Sequence, residues 1–400
     1  MTSEKRQSRF RVFLALGLIF SIVLLVAKSI LFSPSLARSQ SPTTITEIRG
    51  VWLTNVASGV FFSPWGINRA IAQLSQLNFN TIYPVVWNRG HTFYPSAVAK
   101  QESLLTIMRL NGDVLAEIVQ QGHRQGLRVI PWFEYGFMTP IYSELARRHP
   151  TWITQSLTQT EGAIAPTAEK PQLLWLNPLH PEVQQLILDL IKEVVSQYDV
   201  DGIQLDDHFG MPVELGYDPY TIERYQQEHY GNSPPNSPLN GEWMRWRANK
   251  ISEFMGEIVQ TVKSIKPDCI ISLSPNPQAF AYKHYLQDWQ TWVQRGWVDE
   301  LVLQVYRDEL SSFVAELNQP AVRMARRTIP VSVGILTGTL RDPIPFEQIQ
   351  AQVEVIRDRA FDGVSFFYWE TLWSYLTPES PQQRRREFRE LFPYPAIISN

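Results

Sequence analysis

From residue 47 onward, short runs of β-branched and aromatic residues alternate with stretches whose apolar residues recur at helical spacing. The stretch PEVQQLILDLIKEVVSQY, for example, places its apolar side chains on one face of a helix. The alternation predicts eight strands, each followed by a helix. Strands are predicted at 49–55, 80–87, 127–136, 201–209, 269–277, 299–307, 330–337 and 362–370, and helices at 64–77, 112–125, 181–198, 242–265, 282–295, 310–326, 346–359 and 380–391.

This strict alternation predicts an α/β fold, because each crossover helix makes consecutive strands parallel. Eight such units over residues 47–395 predict a single (β/α)8 TIM barrel. An open doubly wound sheet is the alternative. It usually brings a glycine-rich phosphate turn after its first strand, whereas the segment here reads TNVASGVFFSPWG, and neither G-x-G-x-x-G nor G-x-x-x-x-G-K-[ST] occurs. We therefore expect no nucleotide cofactor.

The N-terminus has the pattern of a targeting segment. Four basic residues precede an apolar run at 12–27, and small residues around 35–37 resemble a cleavage site. Residues 1–37 are therefore predicted to be a signal peptide or a membrane anchor that crosses the membrane within 12–32, followed by a polar linker at 38–46. Both alternatives predict a periplasmic or otherwise extracytoplasmic protein, anchored to the inner membrane in the second case.

Charge and composition narrow the class of partner. The chain carries 36 basic and 39 acidic side chains, a net charge of −3, which argues against a nucleic-acid-binding protein. A single cysteine, Cys269, excludes a disulfide within the chain and a cysteine-based zinc site. The 13 Trp, 15 Tyr and 20 Phe residues are numerous, and the flat faces and polar edges of Trp and Tyr suit the binding of sugar rings.

In a barrel of this kind the chemistry lies at the carboxyl ends of the strands. The predicted catalytic residues are carboxylates at three of these ends: Asp206, Asp207, Glu134 and Glu370. Asp206 is expected to face the barrel axis, because Ile203 and Leu205 alternate with it. Glu134 follows the apolar segment IPWF. Burial among these residues would raise the pKa of the Glu134 carboxyl group and allow it to act as an acid.

Two carboxyl groups on either side of a scissile bond are what glycoside hydrolysis requires. One protonates the leaving oxygen, and the other attacks the sugar or activates water. Aromatic side chains at the same strand ends would hold sugar rings, and polar ones would bind hydroxyl groups. The predicted substrate-binding residues are Asn55, Trp87, Arg89, His91, Tyr135, Asn177, His208, Tyr306, Tyr368 and Trp369.

A metal-dependent hydrolase is the competing interpretation. The residues that could form a His/carboxylate site are His91, Glu134, Asp206, Asp207 and His208. The first strand reads VWLTN and lacks the His-x-His pair of many metal-dependent barrels, so we expect no catalytic metal. Serine chemistry is not indicated either, since no G-x-S-x-G occurs.

Five segments occur in a characteristic order: RGVWLTN, NTIYPVVWNRGHTFYPS, PWFEYGF, WLNPLHPEVQ and VDGIQLDDHFGMP. Together they resemble the glycosyl-hydrolase-like family formerly called domain of unknown function 187, over residues 47–375. The resemblance implies an exported bacterial (β/α)8 barrel with glycosidase activity, with Glu134 and either Asp206 or Asp207 at its site. That family includes a divisome-associated peptidoglycan glycosidase. The segment WLNPLHPEVQ, which contains Asn177, matches a motif of that family. Its role could be loop structure as readily as sugar binding.

Three functional hypotheses follow. The first is an exported hydrolase of a cell-wall or envelope glycan such as peptidoglycan strands, with no cofactor. The second is a hydrolase of another polysaccharide, and the third is a non-catalytic carbohydrate-binding barrel. Paired acids at the strand ends favour catalysis over binding alone. The sequence leaves open the linkage, the choice between Asp206 and Asp207, and the retaining or inverting outcome, which depends on the separation of the carboxyl groups.

Overall fold

The computed structural model describes residues 45–110, 112–158, 173–373 and 377–398. The predicted signal or anchor segment and nearly all of the linker lie outside this part of the chain. Within the described residues, no helix combines the length and the apolar character that crossing a membrane requires.

Eight parallel strands form a closed barrel, which confirms the predicted fold class. The first strand, β1, pairs on one side with the second and on the other with the eighth, and this double pairing closes the sheet. The strands are β1 Ile48–Leu53, β2 Thr81–Asn88, β3 Arg128–Val129 with Trp132–Phe133, β4 Gly202–Asp206, β5 Ile270–Ser274, β6 Glu300–Gln304, β7 Val331–Leu336 and β8 Gly363–Phe367.

Helices surround the barrel and cover it with their apolar faces. They are α1 Pro64–Gln76, α2 Val114–Arg124, α3 Pro181–Gln197, α4 Gly241–Ile265, α5 Gln278–Tyr285 with Trp289–Gln294, α6 Leu310–Leu317 with Pro320–Ala325, α7 Phe346–Asp358 and α8 Pro381–Leu391. The connecting loops add short helices at Ser103–Met108, Glu144–Arg148, Pro219–Glu228 and Trp369–Trp373, 3-10 turns at Val60–Phe62 and Pro150–Trp152, and short strands at Ile45–Thr46, His91–Thr92, Met138–Pro140, Leu173–Trp175 and Ala396–Ile397.

Three predicted elements are interrupted. Strand β3 is split between Val129 and Trp132. Its register with β2 shifts just after the split, where Trp132 pairs with Val85 and Phe133 with Trp87. Helix α6 breaks before Pro320, which has no backbone N–H and disfavours a helical residue before it. Helix α5 breaks at Leu286, which adopts a left-handed conformation with φ of 54°. The break lets the side chain of Gln287 turn inward and donate to the carbonyl oxygens of Asp206 (2.7 Å) and Phe209 (3.0 Å).

A repeated hydrogen bond joins neighbouring strands at the amino-terminal face of the barrel. Three aspartates stand one residue before a strand, and each accepts from a backbone N–H of the preceding strand. Asp201 accepts from Val129 at 2.6 Å, Asp299 from Ile271 at 2.8 Å, and Asp362 from Val331 at 2.8 Å. Asp201 is thus a structural residue that holds β3 and β4 together.

The seam between β8 and β1 leaves no room for a side chain at Gly363. A Cβ atom there would lie 2.1 Å from the carbonyl oxygen of Ile48, so the two strands would have to move apart. We expect Gly363→Ala to lower the free energy of unfolding by about 1–3 kcal/mol. Denaturant unfolding measures the change. Gly241→Ala is the control, because nothing lies near its Cβ position. Equal stability of both variants would contradict this account of the seam.

Candidate active site

A cleft of about 360 Å³ opens at the carboxyl ends of the strands. Side chains from β1, β3 to β6 and β8 and their following loops line it. These residues are Trp52, Trp132, Glu134, Tyr135, Asp206, Asp207, His208, Asn276, Phe280, Tyr285, Gln304, Tyr306 and Phe367. The cleft therefore brings together six of the predicted site residues, and three of these are carboxylates.

Glu134 lies at the end of β3 and is almost fully buried. Its Oε2 accepts a hydrogen bond from Thr54 Oγ1 and another from Asn88 Nδ2, both at 2.8 Å. Burial, together with the negative charge of Asp206, raises the pKa of Glu134 to about 7 although Thr54, Arg89 and His208 oppose the shift. Since Oε2 already accepts two hydrogens, Oε1 is the oxygen that can carry a proton.

Asp206, Asp207 and His208 form a charged cluster at the end of β4. The Nδ1 atom of His208 lies 3.1 Å from Asp206 Oδ2 and 3.1 Å from Asp207 Oδ1. Asp206 also accepts from the backbone N–H of His208 at 2.9 Å. Asp207 accepts from Asn276 Nδ2 at 2.8 Å and more weakly from Gln304 Nε2 at 3.4 Å. A single imidazole N–H therefore faces both carboxylates.

The cluster separates the acidities of its members. Burial on its own would lower the pKa of His208, but the charges of Asp207 and Asp206 hold this pKa well above its usual value. Burial raises the pKa of Asp206. Burial opposes ionisation of Asp207 as well, yet His208, Asn276 and Gln304 together lower its pKa. Asp207 is thus the carboxylate that the site keeps ionised.

Aromatic rings form one wall of the cleft. The ring of Tyr135 contacts the imidazole of His208, with centroids 4.5 Å apart, and the guanidinium of Arg89 lies 4.7 Å from the same ring. Tyr306 packs against Phe367 with centroids 5.8 Å apart. Tyr135, His208 and Tyr306 therefore lie in the cleft, where they were predicted to bind substrate.

The predicted residues of β1 and β2 lie behind this wall. Asn55 accepts a hydrogen bond from Asn88 at 2.9 Å, and Asn88 in turn bonds Glu134. Arg89 does not line the cleft, but its guanidinium lies over the ring of Tyr135, which does. His91 is half-buried beside the carbonyl oxygen of Arg89, at 3.3 Å.

Four other predicted binding residues are buried in packing contacts. Trp87 is fully buried and donates to the carbonyl oxygen of Gly136. Asn177 is fully buried and binds Asp218 and Thr221. Tyr368 packs on Phe367 and Trp369 on Trp373. Trp87 presents no free face to a sugar in this conformation, and the contacts of Asn177 account for it as a loop residue.

Glu370 belongs to the short helix after β8 and does not line the cleft. It accepts a hydrogen bond from Ser58 Oγ, which joins the loop after β1 to the end of β8. Burial raises its pKa to about 7, although Ser58 and backbone N–H groups favour the charged form. Its observed contacts hold two loops together.

Several residues that line the cleft or support it from behind were not predicted from the sequence. Trp52 and Trp132 form its floor, and Thr54 and Asn88 hold Glu134. Gln304 lies two residues before Tyr306, and Trp132 two residues before Glu134. Because alternate residues of a strand face the same side, this spacing is the signal that could have identified both.

The cluster at β4 also bears on the metal alternative. One ligand atom each from Asp206, Asp207 and His208 lie within 4.8 Å of one another, whereas His91 and Glu134 are not part of this group. The Nδ1 atom of His208 faces both carboxylates, so a proton on this atom already bridges them. The donor set could hold a divalent cation only if His208 gave up that proton.

The chain is similar to named hydrolases. Glycosyl hydrolase YngK of Bacillus subtilis (strain 168) is 24% identical over 323 residues, covering 72% of this chain and 59% of that protein. Glycosyl hydrolase DigH of Escherichia coli (strain K12) is 26% identical over 326 residues, covering 68% and 69%. This chain thus spans only about three fifths of the length of its Bacillus relative.

Solved structures share the barrel fold. The glycoside hydrolase domain of PgaB (BpsB) from Bordetella bronchiseptica aligns with a TM-score of 0.65 at 14% identity, covering 89% of this chain and all of that domain. Alpha-L-fucosidase isoenzyme 2 from Paenibacillus thiaminolyticus aligns with a TM-score of 0.61 at 16% identity, covering 87% and 49%. Identities this low establish the fold alone.

The family itself follows from the sequence. The family model described as Glycosyl hydrolase-like 10 matches residues 47–355, more than half of the 400 residues. This match contains the segments that suggested a glycosyl-hydrolase-like barrel, and it confirms that resemblance. The chain belongs to the glycosyl hydrolase-like 10 family.

Proposed function

We propose that this protein is an exported glycoside hydrolase of a cell-wall or envelope glycan, with peptidoglycan strands as the first substrate to test. The observation that carries the proposal is a pair of carboxyl groups with opposite pKa shifts in one aromatic cleft. Glu134 has a pKa of about 7, and the pKa of Asp207 is lowered. One group can donate a proton while the other remains a carboxylate, as glycoside hydrolysis requires.

Glu134 is proposed as the proton donor. A pKa near the working pH keeps a useful fraction protonated and still allows the proton to be transferred. Thr54 and Asn88 fix Oε2, so the proton on Oε1 has a defined position for the leaving oxygen.

Asp207 is proposed as the nucleophile or the base that activates water. Its side chain is 19% exposed, against 1% for Asp206, so Asp207 is the carboxylate that a substrate or a water can approach. Asp206 then has a positioning role, because it holds His208 and helps to keep its imidazole charged.

The support for export is the basic and apolar pattern of the first 37 residues, and the support for a cell-wall glycan is the resemblance of the ordered segments. A hydrolase of another polysaccharide would use the same carboxylates. A non-catalytic carbohydrate-binding barrel would have no use for a carboxyl group whose pKa is about 7 beside an ionised one.

The first prediction concerns the carboxylates. Glu134→Gln and Asp207→Asn should each reduce the cleavage of peptidoglycan strands by at least ~100-fold, because each removes an acid or a base. Asp206→Asn should lower the rate to a similar degree by releasing His208. Product release measured by chromatography gives the rates. Asp199→Asn, an exposed carboxylate just before β4, is the matched control and should retain activity. Wild-type turnover in all three cleft variants would remove them from the mechanism.

The second prediction concerns pH. If Glu134 must be protonated to act, kcat/KM should fall about tenfold per pH unit above pH 7, since the folded enzyme loses this proton around its pKa of about 7. Activity that instead rises through pH 7 would make Glu134 a base. Glu370 also has a pKa of about 7, so Glu370→Gln is the control. The alkaline limb should persist in Glu370→Gln and disappear from the residual activity of Glu134→Gln.

The third prediction concerns metal. A carboxylate mechanism supplies its own acid and base, so exhaustive chelator treatment should leave the rate within about twofold of the untreated enzyme. Loss of activity that zinc or manganese restores would favour the metal-dependent alternative, with Asp206, Asp207 and His208 as ligands. Thermal unfolding measured in parallel separates a structural ion from a catalytic one.

A further inference from the structure

Two tryptophans form the floor of the cleft, and their indole N–H groups differ. Trp52 and Trp132 lie against each other with ring centroids 6.3 Å apart. The N–H of Trp52 donates to Gln204 Oε1 at 2.7 Å. The N–H of Trp132 has no hydrogen-bond partner, although the residue is only 3% exposed.

The surroundings of Trp132 explain why its N–H stays unpaired. Phe367 lies edge-on to the ring, with centroids 6.3 Å apart, and offers no acceptor atom. Gln204, the backbone partner of Trp132 in the sheet, is already committed at both ends of its amide. Its oxygen accepts from Trp52, and its nitrogen donates to Ser272 Oγ at 2.9 Å.

The position of Trp132 places it directly below the acid groups. It lies two residues before Glu134 on β3, and its partner Gln204 lies two residues before Asp206 on β4. At roughly 3.3 Å per residue, the floor is about 7 Å deeper than the carboxyl groups. A sugar whose scissile bond lies at Glu134 would therefore direct its innermost substituent toward Trp132.

A buried donor without an acceptor destabilises the protein. The indole N–H of Trp243 is also buried without a partner, but Trp243 lies outside the cleft, whereas Trp132 lines it. An indole N–H can only donate, which means that the missing partner is an acceptor oxygen. We propose that Trp132 Nε1 binds the substrate by donating a hydrogen bond to a hydroxyl or acetamido oxygen of the sugar that carries the scissile bond. This assignment rests on the proposed function, and it makes Trp132 a specificity-determining residue.

Kinetics provide the first test. Trp132→Phe keeps an aromatic floor but removes the donor, so kcat/KM on peptidoglycan strands should fall about tenfold, as expected for one lost hydrogen bond. Trp243→Phe is the matched control, because Trp243 is a fully buried tryptophan of α4 outside the cleft. A Trp132→Phe enzyme that matches the wild type in kcat/KM would overturn the proposal.

A binding measurement separates this proposal from the proposed activity. Tryptophan labelled with ¹⁵N at the indole nitrogen is introduced into the Glu134→Gln variant, and the signal missing from Glu134→Gln/Trp132→Phe identifies Trp132. On titration with the same glycan strands, the Trp132 signal should move downfield and that of Trp243 should stay in place. This result would support the hydrogen bond even if the wild type cleaves no strands. A Trp132 signal that stays in place would overturn it, whatever the activity.

Discussion

The pairing of β1 with both β2 and β8 is the constraint on which the rest of the structure depends. Closing a parallel sheet removes its edges and brings all eight carboxyl ends to one rim. Thr54, Glu134 and Asp206 come from three different strands, yet the closed register places them around one cleft. The tight contact of Gly363 with Ile48 belongs to the same closure, because the strands can approach only where no side chain intervenes.

Closure also creates an electrostatic difficulty at the rim. Carboxylates that face the axis leave water, and an isolated buried charge is costly. The groups that offset this cost differ between Asp207 and Glu134. Asp207 receives amide donors and shares the imidazole N–H of His208, whereas Glu134 receives two neutral donors and has Asp206 nearby. Unequal compensation separates the pKa values, and such a separation is what allows one acid to donate a proton and another to stay ionised.

Loops that break regular structure support this rim. The interruption of α5 at Leu286 turns Gln287 inward, where it holds the carbonyl oxygens that follow the end of β4. Ser58 and Glu370 join the first and last strand ends in a comparable way. The break in α5 therefore helps to fix the segment that carries Asp206, Asp207 and His208. These contacts of Gln287 explain why α5 is not one continuous helix.

The sequence by itself determined the barrel and the rim. Periodicity records which face of each element is buried, so eight alternating units identified the closed fold, and strand ends identified Glu134, Asp206, Asp207, His208, Tyr135 and Tyr306. Only the tertiary structure decided what each side chain contacts. The positions of Trp87 and Asn177 in the sequence suggested substrate binding. In the structure, however, Trp87 donates to the carbonyl oxygen of Gly136 and Asn177 donates to Asp218, and both partners lie far away in the sequence. The unpaired N–H of Trp132 could not be predicted from the sequence for the same reason. Whether an N–H finds a partner depends on the residues around it, and these come from strands far apart in the chain.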